Sequence, residues 1–214
     1  SDVYKRQVLD YAGHRVQVTE MVEVINPGPD VWTELVFFLP KDLQTTRFTM
    51  STVRLQDQVQ TTATQLHFTS DGFLTLRLSQ DLNPHESRLV GITYGLEAAE
   101  VGLGTRRPLG DVGYGEDVIQ FINWYPRLVP YRPGRGWERW APTDVGPPLL
   151  SDVADYELQV RTSEGIVVAS GGPVDRRGNL WQFNVQNARS IAFSASSDYE
   201  LKTRTEAGVT LYAV

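Results

Sequence analysis

In the segment ADYELQVRT the side chains alternate in character: Tyr156, Leu158 and Val160 fall on one side, Asp155, Glu157, Gln159 and Arg161 on the other. The same period of two runs through most of the chain. RVQVTEMVEVI places Val16, Val18, Val22 and Val24 on one face, with Glu20 alone breaking the apolar row. LVGITYGL aligns Val90, Ile92, Tyr94 and Leu96, and LWQFNV aligns Trp181, Phe183 and Val185. FLTLRL, SIAFSAS and GVTLYAV read alike. Successive strand residues point to opposite faces, so this alternation predicts half-buried antiparallel strands. No segment holds a convincing helical period.

Turn chemistry separates the runs: NPGPD at 26–30, SDG at 70–72, LNPHES at 82–87, RRGN at 176–179 and EAG at 206–208. Roughly ten or more short strands with such punctuation predict an all-β fold, an antiparallel β-sandwich or a pair of packed sheets. With 214 residues, positions 1–214 fit a single sandwich domain with a substantial core. The chain opens at SDVYKRQ and ends at GVTLYAV, both strand-like, as though cut from something longer.

Residues 97–152 interrupt the pattern. Glycine-rich VGLGTRRPLGDVGYGED leads into FINWYPRLVPYRPGRGWERWAP and then APTDVGPPLLSD. A loop of that length is either functional or disordered, and its many tryptophans and tyrosines argue against disorder. A structured excursion over one edge of the sandwich is expected, with short strands around Val118 to Trp124.

Composition removes several functions. A formal net charge of −6 is the wrong balance for a nucleic-acid binder. There is no cysteine, hence no disulfide, thiolate zinc site or cysteine nucleophile. The longest apolar runs, such as LVFFL at 35–39, are too short to span a bilayer. Six of the seventeen arginines fall between Arg106 and Arg139, a local cationic region on an acidic chain.

Catalytic patterns are missing too. His14, His67 and His85 are far apart and none sits in HExxH, so they read as turn or surface histidines and no metal is expected in this chain. Ser170, in VVASGGP, has glycine only on its C-terminal side and lacks the nucleophile-elbow context. The glycine loops match neither phosphate-binding pattern. Glu116 and Asp117 are adjacent, so in a strand they would point apart.

The aromatic–proline stretch, residues 121–142, holds three of the five tryptophans. Three readings are open: rings that plug the core, a protein interface rich in hot-spot residue types, or a glycan or peptide surface made by Trp124, Trp137 and Trp140.

The order of motifs resembles the N-terminal domain of the M1 family of zinc aminopeptidases, in its divergent bacterial branch. LDYAGHRVQVTEMVEVINPGPDVWTELVFFLP is similar to the family's opening strands. NWYPRLVPYRPGRGWERWAP resembles its WYP-to-GGW segment, SDVADYELQVRTSEGIVVASGG its D-x-A-D-Y and V-x-A-S/T-G strands, and WQFNVQNARSIAFSASSDYEL its ARDFA region. Ser190 stands where that last pattern is acidic. The resemblance implies a saddle-like β-sandwich that packs on a thermolysin-like catalytic domain and helps to close its substrate cleft. It further implies that zinc, HExxH and a GxMEN-like motif belong to that domain, expected after position 214, so that this chain alone is not an enzyme and holds no cofactor. Its partners would be the catalytic domain of the same parent and the parent's peptide substrate. The candidate substrate-side or inter-domain surface comprises Gln120, Asn123, Trp124, Tyr125, Arg127, Tyr131, Arg135, Trp137 and Trp140. The alternatives are a stand-alone module binding glycan or peptide through exposed tryptophans, and a scaffold domain of an inactive peptidase homologue.

Overall fold

The computed structural model describes residues 2–39, 47–55, 58–61, 66–69, 71–101, 111–139, 152–206 and 209–213. Among these there are twenty-one strands and no helix. The first are β1 (Asp2–Asp10), β2 (Arg15–Ile25), β3 (Trp32–Phe38), β4 (Phe48–Leu55), β5 (Gln58–Thr61), β6 (Leu66–Phe68) and β7 (Phe73–Leu82). Next come β8 (Ser87–Glu97), β9 (Ala99–Glu100), β10 (Val112–Tyr114), β11 (Ile119–Phe121), β12 (Arg127–Leu128), β13 (Tyr131–Arg132) and β14 (Gly136–Trp137). The last are β15 (Ala154–Arg161), β16 (Val167–Ser170), β17 (Val174–Arg177), β18 (Leu180–Ala188), β19 (Phe193–Ser196), β20 (Lys202–Glu206) and β21 (Val209–Ala213). Trp140, the GLGTRRPLG loop, nearly all of APTDVGPPLLSD and the His67 side chain lie outside the described residues, as do two positions of the EAG turn.

An eight-stranded sheet runs β17-β18-β15-β1-β2-β8-β4-β5. A five-stranded sheet, β16-β19-β11-β10-β9, and a four-stranded one, β12-β3-β7-β6, share one continuous apolar core with it. The alternation read from the sequence is what fills that core. Along β2, Val16, Val18, Val22 and Val24 are buried while Arg15, Gln17 and Thr19 are exposed. Val90, Ile92, Tyr94 and Leu96 on β8, and Tyr156, Leu158 and Val160 on β15, are buried likewise.

The fold is the expected antiparallel one, with two parallel ladders within it. β1 pairs with β15 in parallel, and so does β9 with β10. A parallel neighbour cannot be reached by a hairpin; everything between β1 and β15 is the crossover. Period-two alternation reports which face is buried and carries no information on strand direction.

The turns do different jobs. RRGN closes the β17–β18 hairpin, with Gly178 at φ 62°. NPGPD instead carries the chain from the large sheet to the four-stranded one. Buried Asn26 fixes it, its Nδ2 donating to the Asp30 carbonyl at 2.8 Å and the Leu82 carbonyl at 3.0 Å. In the described part of the excursion β9, β10 and β11 join the five-stranded sheet and β12 the four-stranded one, and β11 falls where strand text was expected.

Candidate functional site

The stretch that begins at Phe121 divides into two aromatic clusters. In the first, Phe121 stacks on Phe193 with centroids 4.7 Å apart, and Trp124 meets Phe193 edge-on at 5.3 Å. Trp124 is fully buried and Tyr125 nearly so. Both anchor to one residue after β18: the Trp124 Nε1 donates to the Ile191 carbonyl at 3.2 Å, and the Ile191 amide donates to the Tyr125 hydroxyl at 3.1 Å. Asn123 makes the turn that feeds them. It sits at φ 48°, a left-handed conformation that asparagine tolerates better than most residues, and its Nδ2 reaches Asp111 at 3.3 Å.

Beneath this cluster lies a group of buried charges. Lys5 on β1 and Glu20 on β2 are cross-strand partners, 0% and 1% exposed, with Nζ 2.5 Å from Oε1. The ammonium lies 3.6 Å from the centre of the Tyr125 ring and 5.8 Å from that of Trp124, so its outer side faces π-electrons. The Tyr94 hydroxyl approaches the other Glu20 oxygen at 3.5 Å. Burial lowers the Lys5 pKa to about 8, against the opposing pull of Glu20. Burial raises that of Glu20, with Lys5 opposing. Burial also pushes the Tyr94 and Tyr125 hydroxyls well above the ordinary tyrosine value. Arg127, first residue of β12, is buried beside them, and its Nη1 has no hydrogen-bond partner.

The second cluster covers the end of the four-stranded sheet. β13 and β14 form a small hairpin through Gly134 and Gly136, at φ 70° and 84°. Trp137 packs on Trp32 at 4.8 Å and on Tyr131 at 5.1 Å. One carboxylate oxygen of Asp30 holds the hairpin, accepting from the Tyr131 hydroxyl at 3.0 Å and the Gly134 amide at 2.9 Å. Arg139 then pairs with Glu34 at 3.3 Å. Arg135 stands exposed at the tip.

The described candidate residues therefore do not all meet in one place. Trp124, Tyr125 and Arg127 point inward; Tyr131 and Trp137 build the second cluster; Gln120 and Asn123 lie half-buried on and after β11. Trp124, fully buried, cannot present a ring to a sugar, while Trp137 is half-buried against Trp32 and Tyr131. Elsewhere the plain readings fit. Ser170 Oγ donates to the Ala192 carbonyl at 2.7 Å. His14 stacks on Tyr114 at 3.5 Å, and His85 occupies a turn at φ 65°. Among the described residues no group of His, Asp or Glu fits a metal ion. Lys5 and Asp30 escaped sequence reasoning; the polar interruption at Glu20 was the available signal for the buried pair.

Solved structures supply the comparison. A mutant M1 zinc metallopeptidase from Deinococcus radiodurans, bound to a Tyr-Ser-Ala substrate, superposes with TM-score 0.60 at 12% identity, over 99% of this chain and 46% of that one. The same metallopeptidase without the mutation gives 0.59 at 13% identity over the same shares. The fold is that of part of an M1 zinc metallopeptidase. An aminopeptidase N family protein from Idiomarina loihiensis matches with TM-score 0.57 and 14% identity, over 97% of this chain and 31% of its own. This chain thus spans less than half of the length of each of these structures. No family model and no curated protein matches it in sequence.

Proposed function

We propose that this chain is the non-catalytic N-terminal domain of an M1-type zinc aminopeptidase, packing on the catalytic domain and helping to close its substrate cleft. The observation that carries the reading is the coverage: nearly the whole chain superposes on 46% of a zinc metallopeptidase. The rest of such a parent would hold the metal, which activates water and polarises the peptide carbonyl. The histidines described here do not fit that zinc, so no step of the chemistry is assigned to this chain. Gln120 and Asn123 are its residues best placed to face a substrate, being polar, half-buried and next to exposed Ile122. Positions 1–214 act in this reading as one domain.

The parent's coding sequence beyond Val214 is the first test. An HExxH with a later glutamate ligand supports the reading; degraded ligands in the same place identify the scaffold of an inactive homologue. The second test is on protein. The longer chain should bind zinc stoichiometrically and hydrolyse an amino-acid arylamide, while residues 1–214 alone should do neither. Stoichiometric zinc with turnover by 1–214 alone overturns the proposal.

A further inference from the structure

Three charged side chains are buried among the described residues: the cations Lys5 and Arg127, and one carboxylate, Glu20. Glu20 is committed to Lys5 at 2.5 Å. Arg127 is therefore a cation in excess, only 6% exposed, and a guanidinium does not shed its charge in a protein. An unpaired buried charge is far costlier than a paired one. Its Nη1 nevertheless has no hydrogen-bond partner.

The side chain does have space beside it. A cavity of about 50 Å³ is lined by Arg127, Glu20, Tyr125, Tyr156 and the apolar faces of Val3 and Val22, among others. Nearby hydroxyls are already engaged, since Tyr125 accepts from Ile191 and Tyr156 donates to the Arg189 carbonyl at 3.2 Å. The other lining carboxylate, Asp152, is exposed and makes no ion pair with Arg127. The volume suits one small ion or one terminal group, since a single water takes about 30 Å³ in the liquid.

We propose that Arg127 binds one small monovalent anion in this cavity, a halide or a single carboxylate group. The site lies between β1, β2, β12 and β15, so an anion there ties the aromatic stretch to the large sheet. It is independent of the role assigned to the whole chain.

Chloride is the probe. In ~0.2 M chloride the wild-type chain should melt a few degrees higher than in sulfate of equal ionic strength, because an ion that binds only the folded state stabilises it. Arg127→Gln should show no such excess. Chloride NMR line broadening should likewise be present with the wild type and absent with R127Q. If formate displaces chloride, carboxylates share the site; if only bromide does, it is a halide site. Equal salt responses of wild type and variant, or no broadening with the wild type, overturn the proposal. Should R127Q fail to fold, the wild-type NMR titration with its bromide and formate competitions decides alone.

Discussion

Lys5 and Glu20 show what a buried ion pair costs. Removing one partner strands the other charge, so Lys5→Met should destabilise the fold by about 3–5 kcal/mol. Replacing both, as Lys5→Met with Glu20→Leu, should be neutral or stabilising, by up to about 4 kcal/mol. Urea melts of the three proteins measure both effects. The pH dependence has a definite sign. Folding lowers the Lys5 pKa from 10.5 to about 8, so in that window the unfolded chain binds a proton that the folded one does not, and stability rises with pH. Folding raises the Glu20 pKa above 4.5; there the folded chain binds the extra proton, and stability falls as pH rises. The pair's contribution should be lowest near neutrality. Stability of the wild type relative to the double variant, followed from about pH 5 to 9, should trace that dip; a flat difference would contradict the shifts.

At the scale of elements, the aromatic stretch is held by few atoms. Trp124→Ala removes a fully buried ring and should cost about 3–5 kcal/mol, whereas Trp124→Phe, losing mainly the bond to Ile191, should cost clearly less. Asp30→Ala frees two donors of the β13–β14 hairpin at once. It should cost about 1–3 kcal/mol and red-shift tryptophan emission as Trp137 loosens, while Arg135→Ala at the exposed tip should stay within about 0.5 kcal/mol. An unchanged emission maximum in the Asp30 variant would show that packing on Trp32 alone holds Trp137. These clusters mark the limit of what the sequence revealed. Rows such as Val16, Val18, Val22 and Val24 were legible because burial repeats every second residue. The fates of Trp124 and Trp137 were not, because a proline-rich segment has no period and its exposure depends on which sheets it bridges. Nor could β1's parallel pairing with β15 be read, since ladder direction leaves no mark in either strand. The role proposed for Gln120 and Asn123 rests on family resemblance, since nothing in their own residue pattern signals it.

Across the whole molecule the strands differ in how much surrounds them. β2 lies between β1 and β8 in the middle of an eight-stranded sheet, with its inner face in the core. Among the described residues β20 pairs only with β21, and every residue from Lys202 to Glu206 is exposed. A strand whose residues are all exposed has few buried contacts, and such segments open locally without global unfolding. Amide exchange should therefore be fast in β20 and slow in β2 and β8, by orders of magnitude at neutral pH. If a catalytic domain follows in the parent, as proposed, it offers exposed β20 a surface to lie on. The same amides should then become protected in the longer chain, while those of β2 and β8 stay nearly unchanged. Protection of β20 already equal to that of β2 in residues 1–214 would mean that β20 needs no partner, and would weaken the case for a docked domain on that side.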